Sequence, residues 1–253
     1  DPIHTAFLHS NMSRQQFSEG FGEVGQMDFF ERDNWILGCN TRRVGDNVWF
    51  RINELVLPNF TQAGAAFRAD GTKQIYYGRS SFSRWVVPID DENCIKWMFT
   101  WFPTREIMEK TKENPRMWVE EEEYLPPSNE PYGHIRAKAK RSNDYLIDWE
   151  THKTRRMGIS GVNLQDKCVQ ENEGPTPILD RSKENLCVGD LTIVKARRIL
   201  KDAALALHEK GTVPKGVRDS EIYRVRAAST TVPDDINWVE GVKDSVTVGS
   251  SVG

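Results

Sequence analysis

The sequence predicts an α+β fold in which a curved antiparallel β-sheet packs against helices. Three observations carry that prediction. Aromatic and β-branched residues alternating at period two crowd the first hundred positions. Apolar residues at helical spacing occur towards both ends of the chain. No internal repeat and no shift of composition marks a second domain, which leaves sheet and helices to share one layered core. Hydrophobic residues make up 38% of the 253 positions and charged ones 28%, which is ordinary globular usage. The longest apolar run, WMFTWF, holds a threonine and is far too short to span a bilayer. A net charge of −3 argues against a nucleic-acid coat or a membrane-surface protein, so neither partner is expected.

The elements follow in order. Residues 1–18, DPIHTAFLHSNMSRQQFS, carry apolar side chains at irregular helical spacing and predict a broken helix or a helix–loop. Residues 27–58 are strand-like and punctuated by Asp33-Asn34 and Gly45-Asp46, which read as turns between antiparallel strands. The clearest hairpin joins SRWVVPI to CIKWMFTWF through the four residues DDEN. In its second arm Ile95, Trp97, Phe99 and Trp101 share one face, able to line a core or an aromatic pocket. Residues 104–113 read as a helix that stops before Pro115. The acidic run Glu120 to Glu123 reads as a solvated face, and HIRAKAKR as an edge strand guarded by charge. A helix is predicted from Leu191 to Glu209, with Asp190 as N-cap and Gly211 as its stop. Its apolar stripe is read as Leu191, Val194, the stem of Arg198 and Leu205. Residues 1–227 thus form one domain, followed by a polar tail over 228–253.

Four cysteines, Cys39, Cys94, Cys168 and Cys187, have no CxxC spacing and read as buried small hydrophobes in a reducing cytoplasm. The chain begins at Asp1, with neither an initiator Met nor a signal-like segment, and reads as a fragment of something longer.

Two of the five histidines fall in the first nine residues as Asp1-x-x-His4-x4-His9. Neutral imidazole offers a lone pair near physiological pH, which makes it the commonest protein metal ligand. Residues five apart lie about 140° apart around an ideal helix, so one ion can take both only where the helix bulges or breaks. Asp1 is three residues before His4, a same-face neighbour able to orient a ligating imidazole through its other N–H.

DPIHTAFLHS resembles the Asp-x-x-His-x4-His signature of the Rieske non-haem iron oxygenases, in the catalytic half of their alpha subunit. NLQDKCVQENEGPTPILDRSKENL resembles the segment of the phthalate-dioxygenase-like branch that supplies the iron's carboxylate, with Asp166 at the ligand position. VGDLTIVKARRILKDAALALHEKGTVPKGVR resembles that branch's closing helix, and WVVPIDDEN its central hairpin. The likeness covers about residues 1–226 and implies a helix-grip, START/Bet v 1-like catalytic domain.

The resemblance also implies a chemistry. His4, His9 and Asp166 would hold a mononuclear Fe(II), leaving the opposite face of the ion open for O2 beside an aromatic substrate. The reaction would be hydroxylation, by dioxygenation or monooxygenation, or removal of an O- or N-alkyl group. Electrons would come from NAD(P)H through a separate reductase or ferredoxin and a [2Fe–2S] Rieske cluster in a preceding domain. In the family's homotrimer that cluster serves the iron of the neighbouring subunit, and Asp1 matches the bridging carboxylate. Two departures stand out. The cluster-binding CxH and CxxH pairs are absent from this sequence, and Cys187-Val188-Gly189-Asp190 replaces the usual Gly-x-Ser/Thr-Asp.

Candidates for substrate contact are Phe50, Ile52, Trp97, Phe99, Trp101 and Arg51, the aromatic and aliphatic residues reading first as core and only second as pocket. Arg51 could pair with a substrate carboxylate or form an ion pair at the surface. Gln165 and Glu171, flanking Asp166, are candidates for hydrogen bonds behind the ligands. His134, His152 and His208 read as structural. The alternative from another class is a non-enzymatic helix-grip module that encloses an apolar ligand without metal. A zinc hydrolase lacks its HExxH here, with Thr5 where a catalytic glutamate would stand.

Overall fold

The computed structural model describes residues 4, 8–9, 25–32, 35–64, 80–100, 105–106, 108–109, 122–155, 158–173, 181–182, 184–225, 227 and 229–237. The chain divides into two compact units. One joins Asp1–Ile3, Gln15–Phe102 and Asn185–Gly253; the other joins His4–Arg14 and Pro103–Glu184. The strands are β1 (Gln26–Arg32), β2 (Trp35–Val44), β3 (Asn47–Val56), β4 (Phe60–Gly64), β5 (Ser80–Pro88), β6 (Cys94–Thr100) and β7 (Ser229–Pro233). The described helices include α1 (Trp149–Arg155), α2 (Val162–Glu171) and α3 (Leu191–Lys210). No helix among the described residues is long and apolar enough to cross a membrane.

The first unit is built on a seven-stranded antiparallel sheet in the order β1-β2-β3-β4-β5-β6, with β7 also paired to β3. The predicted strand pairs form as read. Gly45-Asp46 is a two-residue turn between Val44 and Asn47, and Gly45 takes φ +60 there, as such a turn requires. DDEN closes the β5–β6 hairpin through the Asp90 carboxylate, which accepts from the backbone N–H groups of Glu92 at 2.9 Å and Asn93 at 2.7 Å. Residues 229–233, read as the start of a polar tail, instead form β7. Their β-branched Thr-Thr-Val suits a strand, and Val232 buries its side chain in the core.

One sheet face carries that core: Trp35, Leu37, Cys39, Phe50, Ile52, Val56, Phe60 and Val232. The register places Cys39 opposite Ile52 and Val56 opposite Phe60, so apolar side chains stack across β2, β3 and β4. Ile222, Tyr223 and Val225, beyond α3, pack against the same cluster, Tyr223 meeting Phe60 edge to face at 5.4 Å. The cysteines depart from expectation. All four are free, but only Cys39 is buried, Cys94 and Cys187 are exposed, and Cys168 is intermediate. Cys94 opens an exposed hairpin arm and Cys187 precedes a helix start, positions that lie on the surface whatever the side chain.

Helix α3 ends as predicted at Gly211, in the left-handed conformation with φ +65. Its start differs in detail. Asp190 stands at the N-cap, but its carboxylate accepts from the N–H of Cys187 at 3.0 Å, closing the preceding 3-10 turn. The predicted apolar stripe is not the buried face: Leu191, Val194 and Leu205 are exposed. Gly38 leaves a notch on β2 into which Thr192 fits, since a Cβ at Gly38 would meet the Thr192 methyl at 2.7 Å. Lys195 lies over the Phe29 ring at 4.9 Å, and Arg198 hydrogen-bonds Glu31. Polar and cation–π contacts therefore fix the rotation of this helix on β1 and β2, not its leucines.

The second unit contains α1, α2 and the irregular segment 122–147. Among residues 104–113, those described, Arg105, Glu106, Met108 and Glu109, are helical. Glu122 and Glu123 are exposed as expected and paired, with Lys167 at 2.7 Å and Lys138 at 2.6 Å. The edge strand predicted over 134–141 reduces to one isolated bridge, Tyr124 to Ala137. Pro126, Pro127 and Pro131 crowd the facing chain, and prolines cannot donate to a ladder, so pairing stops after a single step.

Candidate metal centre

His4 and Leu8 are helical while His9 lies just past them on a bend. That break removes the angular conflict of an i, i+5 pair and lets both imidazoles face one point. The rings stand edge to face, their centroids 5.1 Å apart. The third member comes from α2, where Asp166 turns its carboxylate to both histidines. Asp166 Oδ1 lies 3.0 Å from His9 Nε2 and 3.6 Å from His4 Nε2. One donor atom from each of the three side chains falls within 4.8 Å of the others. His9 is 2% exposed, whereas His4 and Asp166 are partly open.

Behind His9 stands Gln165, 1% exposed and one residue before Asp166 on the same helix. Its side-chain oxygen lies 2.9 Å from His9 Nδ1, and its amide nitrogen donates to the Ile159 carbonyl at 2.9 Å. Two nitrogens and one carboxylate oxygen, converging with a buried hydrogen-bond partner behind one imidazole, match the donor set that a two-histidine, one-carboxylate metal site would need. The residues present fit a divalent iron.

The family described as LigXa C-terminal domain like matches residues 72–249, well over half of the chain. The chain belongs to this family of Rieske oxygenase catalytic domains. It is 29% identical over 160 residues to the oxygenase subunit of 3-chlorobenzoate-3,4-dioxygenase from Comamonas testosteroni, covering 60% of this chain and 37% of that protein. It is 33% identical over 108 residues to the oxygenase subunit of tert-butanol monooxygenase / tert-amyl alcohol desaturase from Aquincola tertiaricarbonis, covering 38% of this chain and 22% of that protein. The chain thus spans well under half the length of the curated relatives it matches.

Against the family background the other predicted residues sort clearly. Asp1 and Trp101 lie outside the described residues. Phe50 and Ile52, read as candidates for substrate contact or core, are fully buried in the hydrophobic cluster of the sheet unit. Arg51 is half-buried and its Nε donates to the Gly64 carbonyl at 2.9 Å, which ties β3 to the end of β4. Trp97 and Phe99 are not core: they are 58% and 47% exposed on β6, the last strand of the described order. Glu171 makes its contact away from the triad, accepting from the Tyr145 hydroxyl at 2.6 Å. His152 meets Trp149 edge to face at 5.6 Å, and His134, His152 and His208 stand outside the three-residue cluster. Two contacts of α2 had no sequence signal, one behind His9 and one at Glu171 away from the cluster. Ile159 serves through its backbone carbonyl, to which side-chain patterns are blind. Tyr145 reaches Glu171 from a left-handed turn that nothing in its residue types announces.

Proposed function

We propose that this chain is the catalytic domain of a terminal oxygenase holding a mononuclear Fe(II) through His4, His9 and Asp166. The observation that carries the reading is the convergence of those three donors within 4.8 Å. Bound iron would supply the redox centre at which O2 is activated, chemistry that no protein side chain provides alone. The residues do the rest. Buried His9 would hold the ion from the interior, and His4 and Asp166, which are partly open, would hold it at a position that solvent and small molecules can reach. Asp1, three residues before His4, is assigned the orientation of that imidazole and electron transfer towards it.

The substrate class is an aromatic compound, hydroxylated or relieved of an O- or N-alkyl group. The longer of the two matches, to a protein named for chlorobenzoate dioxygenation, supports that choice. Electrons would arrive from NAD(P)H through a reductase or ferredoxin and a [2Fe–2S] Rieske cluster, with the full-length protein a homotrimer in the cytoplasm. Anaerobic reconstitution with Fe(II) should give about one iron per folded chain, the stoichiometry of a single triad. Asp166→Ala should lose that iron while keeping the far-UV circular dichroism of the wild type. A folded wild-type chain that takes up no iron would overturn the reading.

A further inference from the structure

We infer that Gln165 is a positioning residue that sets the tautomer of His9, so that Nε2 and not Nδ1 is the nitrogen offered to the metal. The inference rests on the triad reading and follows from hydrogen-bond bookkeeping. A backbone carbonyl only accepts, so the group of Gln165 that faces Ile159 must be its NH2, at 2.9 Å. That choice fixes the amide, because its other end is then an oxygen, and this oxygen lies 2.9 Å from His9 Nδ1. An amide oxygen also only accepts, so Nδ1 must carry the hydrogen. The lone pair of the neutral ring is left on Nε2, the atom 3.0 Å from Asp166 Oδ1.

The order of atoms is thus Ile159 carbonyl, Gln165 amide, His9 imidazole, metal position. Gln165 and Asp166 are successive residues of α2, so one rigid turn of helix carries both the orienting amide and the ligating carboxylate. The backbone N–H of Gln165 bonds the Gly161 carbonyl at 3.0 Å, which secures that turn. With Gln165 at 1% and His9 at 2% exposure, bulk water is excluded from taking over the role of the amide. A neutral amide also leaves the imidazole a weaker donor to the metal than a carboxylate partner would, because it polarises the ring less.

Two measurements on the full chain test this. The first is the ¹⁵N NMR signature of the His9 ring in metal-free protein, recorded well above the ordinary imidazole pKa. The wild type should show the Nδ1–H tautomer, and Gln165→Leu should shift it towards a mixture or towards Nε2–H. Gln165→Glu, which keeps an acceptor for Nδ1–H, should restore the wild-type signature. The second is calorimetric titration with Zn(II) as a diamagnetic probe. Gln165→Leu should bind about 10–100-fold more weakly than wild type, the usual effect of removing such a partner, and Gln165→Glu should recover most of the loss. Gln165→Met, close in volume, replaces the leucine variant if that one fails to fold. An Nε2–H tautomer in the wild type, or an unchanged Nδ1–H signature without Gln165, overturns the inference. A wild type that binds no metal overturns the triad reading instead, and the metal-free tautomer still decides the role of Gln165.

Discussion

Glu54 is a carboxyl group in the wrong solvent. It sits on β3 between Ile52 and Val56, on the core face, and is 2% exposed. Gln62 on β4 donates to its Oε2 at 2.6 Å and also to the Val225 carbonyl at 2.7 Å, while Oε1 is buried without a hydrogen bond. Burial pushes the Glu54 carboxyl up from 4.5 to about 8, and the Gln62 bond offsets part of that rise. The folded chain therefore holds this proton more tightly than the unfolded one. The stability it contributes is complete below the unfolded pKa and is lost as pH rises towards about 8. Within that window the slope is about 1.4 kcal/mol per pH unit. Urea unfolding midpoints across the window should fall with rising pH in the wild type. Glu54→Gln, which cannot ionise, should flatten that dependence and unfold later than wild type near pH 8. An equal slope in both proteins would assign the titration to another group.

At the scale of the element, α2 owes its placement to tethers at both ends. Gln165 holds its first half to Ile159, and Tyr145 holds its last turn through Glu171 at 2.6 Å and Asn172 at 3.2 Å. The second tether is costly to make. Asp144, Tyr145 and Leu146 take φ 49, 52 and 56 in succession, a left-handed run of residues that bear a Cβ. Each such residue costs about 1–2 kcal/mol, offset here by the buried tyrosine ring and its hydroxyl bonds. Tyr145→Phe keeps the ring and removes the hydroxyl, and should lower stability by about 1–2 kcal/mol in urea unfolding. A change below a few tenths of that range would mean that ring burial alone maintains the turn. The contrast with the sheet shows what a sequence can display. β1, β2, β3, β5 and β6 were legible because strands write their two faces into alternate residues and are punctuated by Gly, Asp and Asn, although the apolar face read on β6 is exposed. The grouping of His4, His9 and Asp166 was legible because short segments around them, His4 with His9 and Asp166 within Gln-Asp, carry the family resemblance, and the structure brings these candidate ligands within 4.8 Å of one another. The left-handed turn at Tyr145 and the face of α3 are decided by partners distant in sequence, and the single bridge at Ala137 by prolines on the chain facing it. Thr192 turns inward because β2 has a glycine at 38, a fact absent from the helix's own pattern.

At the scale of the molecule, the chain passes between its two units more than once, and the short segment His4–Arg14 joins residues 103–184 and not its sequence neighbours. All three candidate ligands belong to that second unit, although 156 positions separate His9 from Gln165 beside Asp166. Holding such distant segments together carries a loop-closure cost in chain entropy, and the buried hydrogen bond between His9 and Gln165 acts against it. An ion bound only by the folded arrangement adds stability by mass action, about 2.7 kcal/mol at a free concentration 100 times its Kd. For a chain of this size each kcal/mol moves the thermal midpoint by about 2–4 °C, so saturation should raise it by several degrees. Differential scanning calorimetry with anaerobic Fe(II) should show that rise in the wild type and its reversal by a chelator. Asp166→Ala should show no rise, because the site loses its anionic ligand, and His9→Ala should behave alike because the interior anchor is gone. A rise of equal size in both variants would place the stabilising ion elsewhere on the surface and leave the triad without a part in metal binding.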